Sequence, residues 1–89
     1  MMSFGEAVKA MSVGDKVARQ GWNGKGMFIF MIIANHWDFE TDVPGVDGFE
    51  TCSFVCMKTA DNKLVPWLAS QSDVLSYDWV ILEALGETK

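Results

Sequence analysis

Lys16-Val17-Ala18-Arg19-Gln20-Gly21-Trp22-Asn23-Gly24-Lys25-Gly26-Met27-Phe28-Ile29-Phe30-Met31-Ile32-Ile33 is the stretch on which the fold turns. Asp15 to Arg19 reads as a short strand and Met27 to Ile33 as a longer, strongly apolar one. Three glycines between residues 21 and 26 let the backbone reach positive φ, so the segment reads as a hairpin. Phe28, Phe30 and Ile32 fall on one face of the second strand. Met27, Ile29, Met31 and Ile33 fall on the other. With both faces apolar, this strand is expected at the centre of a sheet, covered on each side. The turn itself carries a tryptophan, an asparagine and cations. That mixture suits stacking on a flat ring, reading a polar edge and neutralising a phosphate, but a tight turn serving geometry alone uses the same residues.

Before the hairpin, Ser3-Phe4-Gly5-Glu6 has the form of a capping box, and Phe4, Ala7, Val8 and Met11 follow at helical spacing. A helix from about residue 4 to about residue 12 is predicted, ending at Gly14 in a left-handed conformation. After the hairpin, periodicity is lost from Asn35 to Glu50, where His36-Trp37-Asp38 and Asp42 to Gly48 read as a long surface loop or flap. Regular alternation returns at Thr51 to Lys58, with Cys52, Phe54 and Cys56 on one side and Ser53, Val55 and Met57 on the other. Thr59-Ala60-Asp61-Asn62 turns this strand into Lys63 to Leu68. Pro66 lacks an N–H for the ladder, so that strand belongs at an edge or ends at the proline. Trp67 is placed to be half exposed. Ser70 and Asp73 form a second cap, opening a helical turn to about Ser76, and Tyr77 to Leu82 reads as the last strand. The expected fold is α+β: one domain over residues 1–89, with an antiparallel sheet of about five strands, an N-terminal helix and a short second helix.

The chain has 89 residues, 49% of them hydrophobic, including four Trp, six Phe and six Met. So small a domain has little interior to hide that surface, and part of it is expected between subunits of a homo-oligomer. A formal charge of −5 argues against general binding to nucleic acid or to anionic membrane. The longest apolar run, Met27 to Ala34, falls short of the roughly 20 residues a bilayer requires. No basic segment leads into an apolar one at the start, so no signal peptide is expected and the cytosol is the expected compartment. Cys52 and Cys56 fit reduced thiols there. One His and two Cys do not make a zinc site, and neither metal nor cofactor is expected. His36 has no visible partner for acid–base work.

No catalytic constellation stands out. Asp73 and Asp78 are near enough in sequence to form a carboxylate pair, though each suits accepting a hydrogen bond from a hydroxyl or backbone donor. What the chain offers is a recognition set: aromatics (Phe4, Trp22, Trp67), polar readers (Asn23, Ser70, Asp73, Asp78) and a few cations (Arg19, Lys25, Lys58). Such a set suits a small nucleotide better than a polymer, with a base stacked on an aromatic and a phosphate on Arg19.

Phe4-Gly5-Glu6-Ala7, the block from Val17 to Met27, Met57-Lys58-Thr59-Ala60-Asp61, the run from Val65 to Leu75 and Asp78-Trp79 together resemble the Thoeris anti-defence sponges of the second type. The likeness spans nearly all of the chain except the loop from about Asn35 to Glu50. It implies a phage protein acting in the cytoplasm of the infected bacterium, where it captures a cyclic nucleotide immune signal without cleaving it. The signal is glycocyclic ADP-ribose made by a TIR enzyme, and some members also take up cyclic dinucleotides in a separate pocket. It further implies a homotetramer with ligand sites between protomers. Matched by motif, Phe4, Trp22 and Trp67 enclose the adenine and Arg19 meets the phosphates, with Gly5 counted among the ligand-binding residues. Asn23, Ser70, Asp73 and Asp78 are the polar contacts. Two other readings compete with sequestration: a small phosphodiesterase using Asp73 or Asp78, and an oligomeric module that blocks a host defence protein directly.

Overall fold

Ser3 starts the first helix through both halves of a capping box. Its hydroxyl accepts from the Glu6 N–H at 3.2 Å, and the Glu6 carboxylate accepts from the Ser3 N–H at 2.9 Å. In a computed structural model, which describes residues 1–22, 26–34, 43–46 and 52–82, this helix is α1, Phe4–Ser12. Gly14 follows with φ +102°, a conformation glycine adopts without steric cost. Five strands follow: β1 (Lys16–Arg19), β2 (Phe28–Ile32), β3 (Phe54–Lys58), β4 (Leu64–Pro66) and β5 (Trp79–Leu82). A single turn of helix, α2 (Gln71–Leu75), precedes β5.

The strands form one antiparallel sheet in the order β4-β3-β2-β1-β5. The apolar strand β2 lies at its centre, as the two-faced hydrophobic pattern predicts. β4 is at one edge and ends at Pro66. The chain between β4 and β5 therefore passes from one edge of the sheet to the other, carrying Trp67 and α2 across. The N-terminus joins the far side: Met2 pairs with Trp79, each N–H donating to the other's carbonyl at 2.8 and 3.2 Å.

Register sorts the side chains between two faces, because directly paired residues on neighbouring strands point the same way. Val65, Met57, Ile29, Val17 and Ile81 form one row across all five strands. α1 packs on that face against β1, β2 and β5, and it also touches α2. Ala7, Ala10, Met11, Val17, Ile29 and Trp79 make the core beneath it. Trp79, Met11, Ile29 and Val17 are fully buried, each contributing about 1.5–3 kcal/mol of hydrophobic stabilisation. On the opposite face lie Phe28, Phe30, Ile32, Phe54, Cys56 and Leu64. Phe54 is 46% exposed and Leu64 57%. A cavity of about 390 Å³ opens on this side, lined by Gly14, Asp15, Lys16, Phe28, Phe30, Leu64 and Leu82. Both cysteines are free, Cys52 exposed and Cys56 buried, and burial pushes the Cys56 thiol up.

The second hairpin closes through Thr59, whose N–H donates to the Lys63 carbonyl at 2.8 Å and whose hydroxyl accepts from the Lys63 N–H at 2.9 Å. Much of the expected loop from Asn35 to Glu50, His36 included, lies outside the described residues. Val43 to Val46 are described and form a turn, with Gly45 at φ +82°. No described helix is long and apolar enough to cross a membrane.

Candidate functional site

Arg19 is the last residue of β1 and lies directly opposite Trp79, the first of β5. That register brings the turn after β1 against the residues leading into β5. The Gln20 N–H donates to the Asp78 carbonyl at 2.9 Å, and the Gly21 N–H to the Asp78 carboxylate at 3.2 Å. Gly21 suits so close an approach: a Cβ there would lie 3.3 Å from Asp78 Oδ2, tighter than ordinary contact. The Trp22 N–H donates back to the Arg19 carbonyl at 3.1 Å, closing the turn that carries the indole.

Around this junction the structure gathers most of the residues the sequence singled out, in two neighbouring groups. The first is aromatic. Trp79, with no exposed surface, is the floor, and Phe4 and Trp22 each meet it at a ring-centroid distance of 5.4 Å. Trp67 meets it edge-on at 6.1 Å. Phe4 and Trp22 also contact Trp67, at 6.2 and 6.3 Å. Phe4 comes from the start of α1, Trp22 from the turn after β1 and Trp67 from the exit of β4. All three are half-buried and pack against the core.

The second group is polar. Arg19 Nε donates to Asp78 Oδ1 at 3.0 Å and Arg19 Nη1 to Asp73 Oδ1 at 3.0 Å. The other Asp73 oxygen accepts from the Ser70 N–H at 2.9 Å and from its hydroxyl at 2.8 Å, while the Asp73 N–H returns a bond to Ser70 Oγ. Burial pushes the Asp73 carboxyl up, but the bonds from Ser70 and Arg19 outweigh it and hold the group below the usual carboxylate range. The Arg19 hydrogen bond holds Asp78 down as well, against its partial burial. Both aspartates are thus kept ionised beside one guanidinium. Neither has the raised pKa that suits a general acid at neutral pH.

The two groups are joined through Trp79, whose indole N–H donates to the Asp73 carbonyl at 3.0 Å in a buried bond. Trp79 is the site residue that sequence reasoning missed. It reads as one apolar position in the last strand, and only the Asp78-Trp79 pair within the family-like blocks hinted at more. Gly5 is exposed in the first turn of α1 next to Phe4, where a Cβ would meet only Ser3 Oγ, at 3.9 Å. Asn23 lies outside the described residues, as do Gly24 and Lys25 of the same turn. Lys58 is not brought to this site. Its ammonium donates to the Gly26 carbonyl at 2.9 Å and lies 5.8 Å from the Phe28 ring centroid, on the opposite face of the sheet. Among the described residues no group of three or more His, Cys, Asp or Glu is arranged to hold a metal ion.

Comparison with known proteins returns the same family from two directions. The model of a family described as Tad2-like, the Thoeris anti-defense 2-like domain, matches residues 2–82. A protein named Thoeris anti-defense 2, from Bacillus phage SP01, is 42% identical in an alignment 88 positions long that takes in 91% of this chain and 94% of that relative.

Proposed function

Since this chain belongs to the Thoeris anti-defense 2-like family, we propose that it is a phage protein that counters Thoeris immunity by binding a cyclic nucleotide signal and holding it intact. The observation that carries this reading is the aromatic platform: Phe4, Trp22 and Trp67, half-buried, set around a fully buried Trp79. Flat side chains packed on a buried ring and left half-exposed suit a purine ring, and base–aromatic stacking contributes about 1–3 kcal/mol per base. The reading includes glycocyclic ADP-ribose as the principal ligand and cyclic dinucleotides as a second class at a separate site. The platform accepts a base without offering it chemistry, since the two nearby carboxylates are occupied by Arg19 and Ser70. Sequestration needs nothing more. An excess of a tight binder lowers free signal by mass action until the effector no longer responds.

The proposed working unit is a homotetramer in the cytoplasm of the infected bacterium, with ligand sites between protomers. The apolar sheet face away from α1, with Phe54 and Leu64 about half exposed, supports a contact between copies.

The test is to mix the protein with glycocyclic ADP-ribose isomers and cyclic dinucleotides, follow thermal shift, then denature the complex and analyse what is released. Recovery of intact ligand is expected. Recovery of a linear product would favour the phosphodiesterase reading. Trp22→Ala is expected to weaken binding by about 5- to 150-fold, the equivalent of one lost stack. Affinity equal to wild type in that variant would contradict the platform as the binding surface.

A further inference from the structure

Arg19 has the residue type that would seek a phosphate, yet its surroundings suit a different task. Its Nε and Nη1 are both committed at 3.0 Å, to carboxylates that approach from two separate segments. Asp73 and Asp78 stand 54 and 59 residues away in sequence, on α2 and at the entry to β5. With one guanidinium and two carboxylates, the cluster carries a net negative charge, within a chain of formal charge −5. A phosphate drawn to Arg19 would approach two carboxylates at the same time, and like charges in contact disfavour binding. Side-on bidentate grip of a phosphate uses the Nε edge of the guanidinium, and Asp78 already takes the Nε donor of that edge.

Each carboxylate also holds a second element of the site. Asp78 takes the Gly21 N–H through Oδ2, and Gly21 immediately precedes Trp22. Asp73 takes Ser70, three residues beyond Trp67, and its backbone carbonyl takes the indole N–H of Trp79. From Arg19 the bonds therefore run outward to the turn bearing Trp22, the segment bearing Trp67 and the floor ring itself. We infer that Arg19, Asp73 and Asp78 are positioning residues, a closed ion-pair network that sets the spacing and tilt of the Trp22, Trp67 and Trp79 rings before any ligand arrives. The charged phosphates of the ligand are then met by other groups. Preformed geometry strengthens binding because little ordering remains to be done on association.

The part of this inference that concerns ligand affinity rests on the nucleotide-binding reading above. The part that concerns ring geometry does not, and the experiment separates them. Asp78→Asn keeps the shape of the side chain while removing the charge, and Arg19→Lys keeps the charge while losing the two-pronged geometry. Both are examined without ligand by near-UV circular dichroism, which reports the mutual arrangement of the tryptophans, with far-UV spectra to confirm folding. Affinity for glycocyclic ADP-ribose is then measured on the folded proteins. The expected result is an altered near-UV spectrum in both variants, an unchanged far-UV spectrum and binding weakened by about tenfold or more in each.

A wild-type near-UV spectrum in both variants would overturn the inference, because a merely stabilising ion pair lowers the melting temperature without rearranging the rings. So would affinity in Asp78→Asn that equals or exceeds wild type, the result expected if Arg19 grips phosphate directly and Asp78 competes for it. Should the wild-type protein bind none of the nucleotides, the functional proposal fails and the near-UV spectra alone decide the role of the network.

Discussion

At Asp73 three kinds of interaction meet on one residue. The carboxylate caps α2 through Ser70 and pairs with Arg19, and the carbonyl receives the indole N–H of Trp79. Burial by itself would raise its pKa, so the net depression records how strongly the bonds favour the charged form. The depression of Asp78, caused first by the Arg19 hydrogen bond, acts in the same direction. A carboxyl with a lower pKa folded than unfolded contributes stability that is present in full above the unfolded value. That contribution is lost as pH falls through the folded one. This contribution is therefore expected in full through neutral and mildly acidic conditions and to fade below about pH 4, as these groups protonate. Chemical denaturation at a series of pH values checks this, with a shallower acid limb expected for Asp78→Asn than for wild type. Equal limbs would mean that the ion pair contributes nothing to the folded state.

The two helices contrast at the scale of the element. Both begin with a Ser cap and an acidic residue three positions on, yet α1 has nine residues and α2 has five. A five-residue helix has no stability of its own in water, since the first turn is costly to nucleate. α2 persists because its cap, the Arg19 ion pair and the Trp79 indole bond all converge on Asp73. Ser3→Ala and Ser70→Ala should each cost about 1 kcal/mol of global stability. They should differ locally. Hydrogen exchange is expected to show the amides of Asp73, Val74 and Ser76 losing protection in Ser70→Ala, while the interior of α1 stays protected in Ser3→Ala. Uniform protection in both would indicate that α2 is held by its tertiary bonds alone. At the edge of the sheet, β4 ends at Pro66, whose missing N–H gives a neighbouring chain nothing to pair with at that position.

For the whole molecule, the two faces of the sheet have different fates. One is covered by α1 and contains the fully buried residues. The other has Phe28, Phe30 and Leu64 lining the cavity and the half-exposed Phe54 further along the face, with the Lys16 ammonium 4.5 Å from the Phe28 ring centroid. If copies of the chain meet through this apolar face, placing a charge at Phe54 should separate them. Light scattering is expected to give a tetramer for wild type and a smaller species for Phe54→Lys, with the far-UV spectrum retained. A wild-type protein that is monomeric at micromolar concentration would refute the assembly.

Helices, caps, strands and turns could be located from the sequence because each follows from neighbours a few residues apart. Ser3 with Glu6 marks the start of α1, Gly14 its end, and alternation through β2 and β3 their two faces. Pro66 marks the edge strand by its own chemistry. Phe4, Trp22, Trp67, Arg19, Ser70, Asp73 and Asp78 could likewise be singled out by type, and the family-like blocks sharpened that selection. Strand order could not be read this way, because pairing between distant strands leaves no local period. Only the tertiary structure placed β5 beside β1, and that neighbour relation brings Asp73 and Asp78 to Arg19 across more than fifty residues. It also placed Trp79 beneath the other three rings. A buried tryptophan in a short strand has the same local pattern whether it fills a core or supports a binding surface, and what rests on it depends on contacts made at long range.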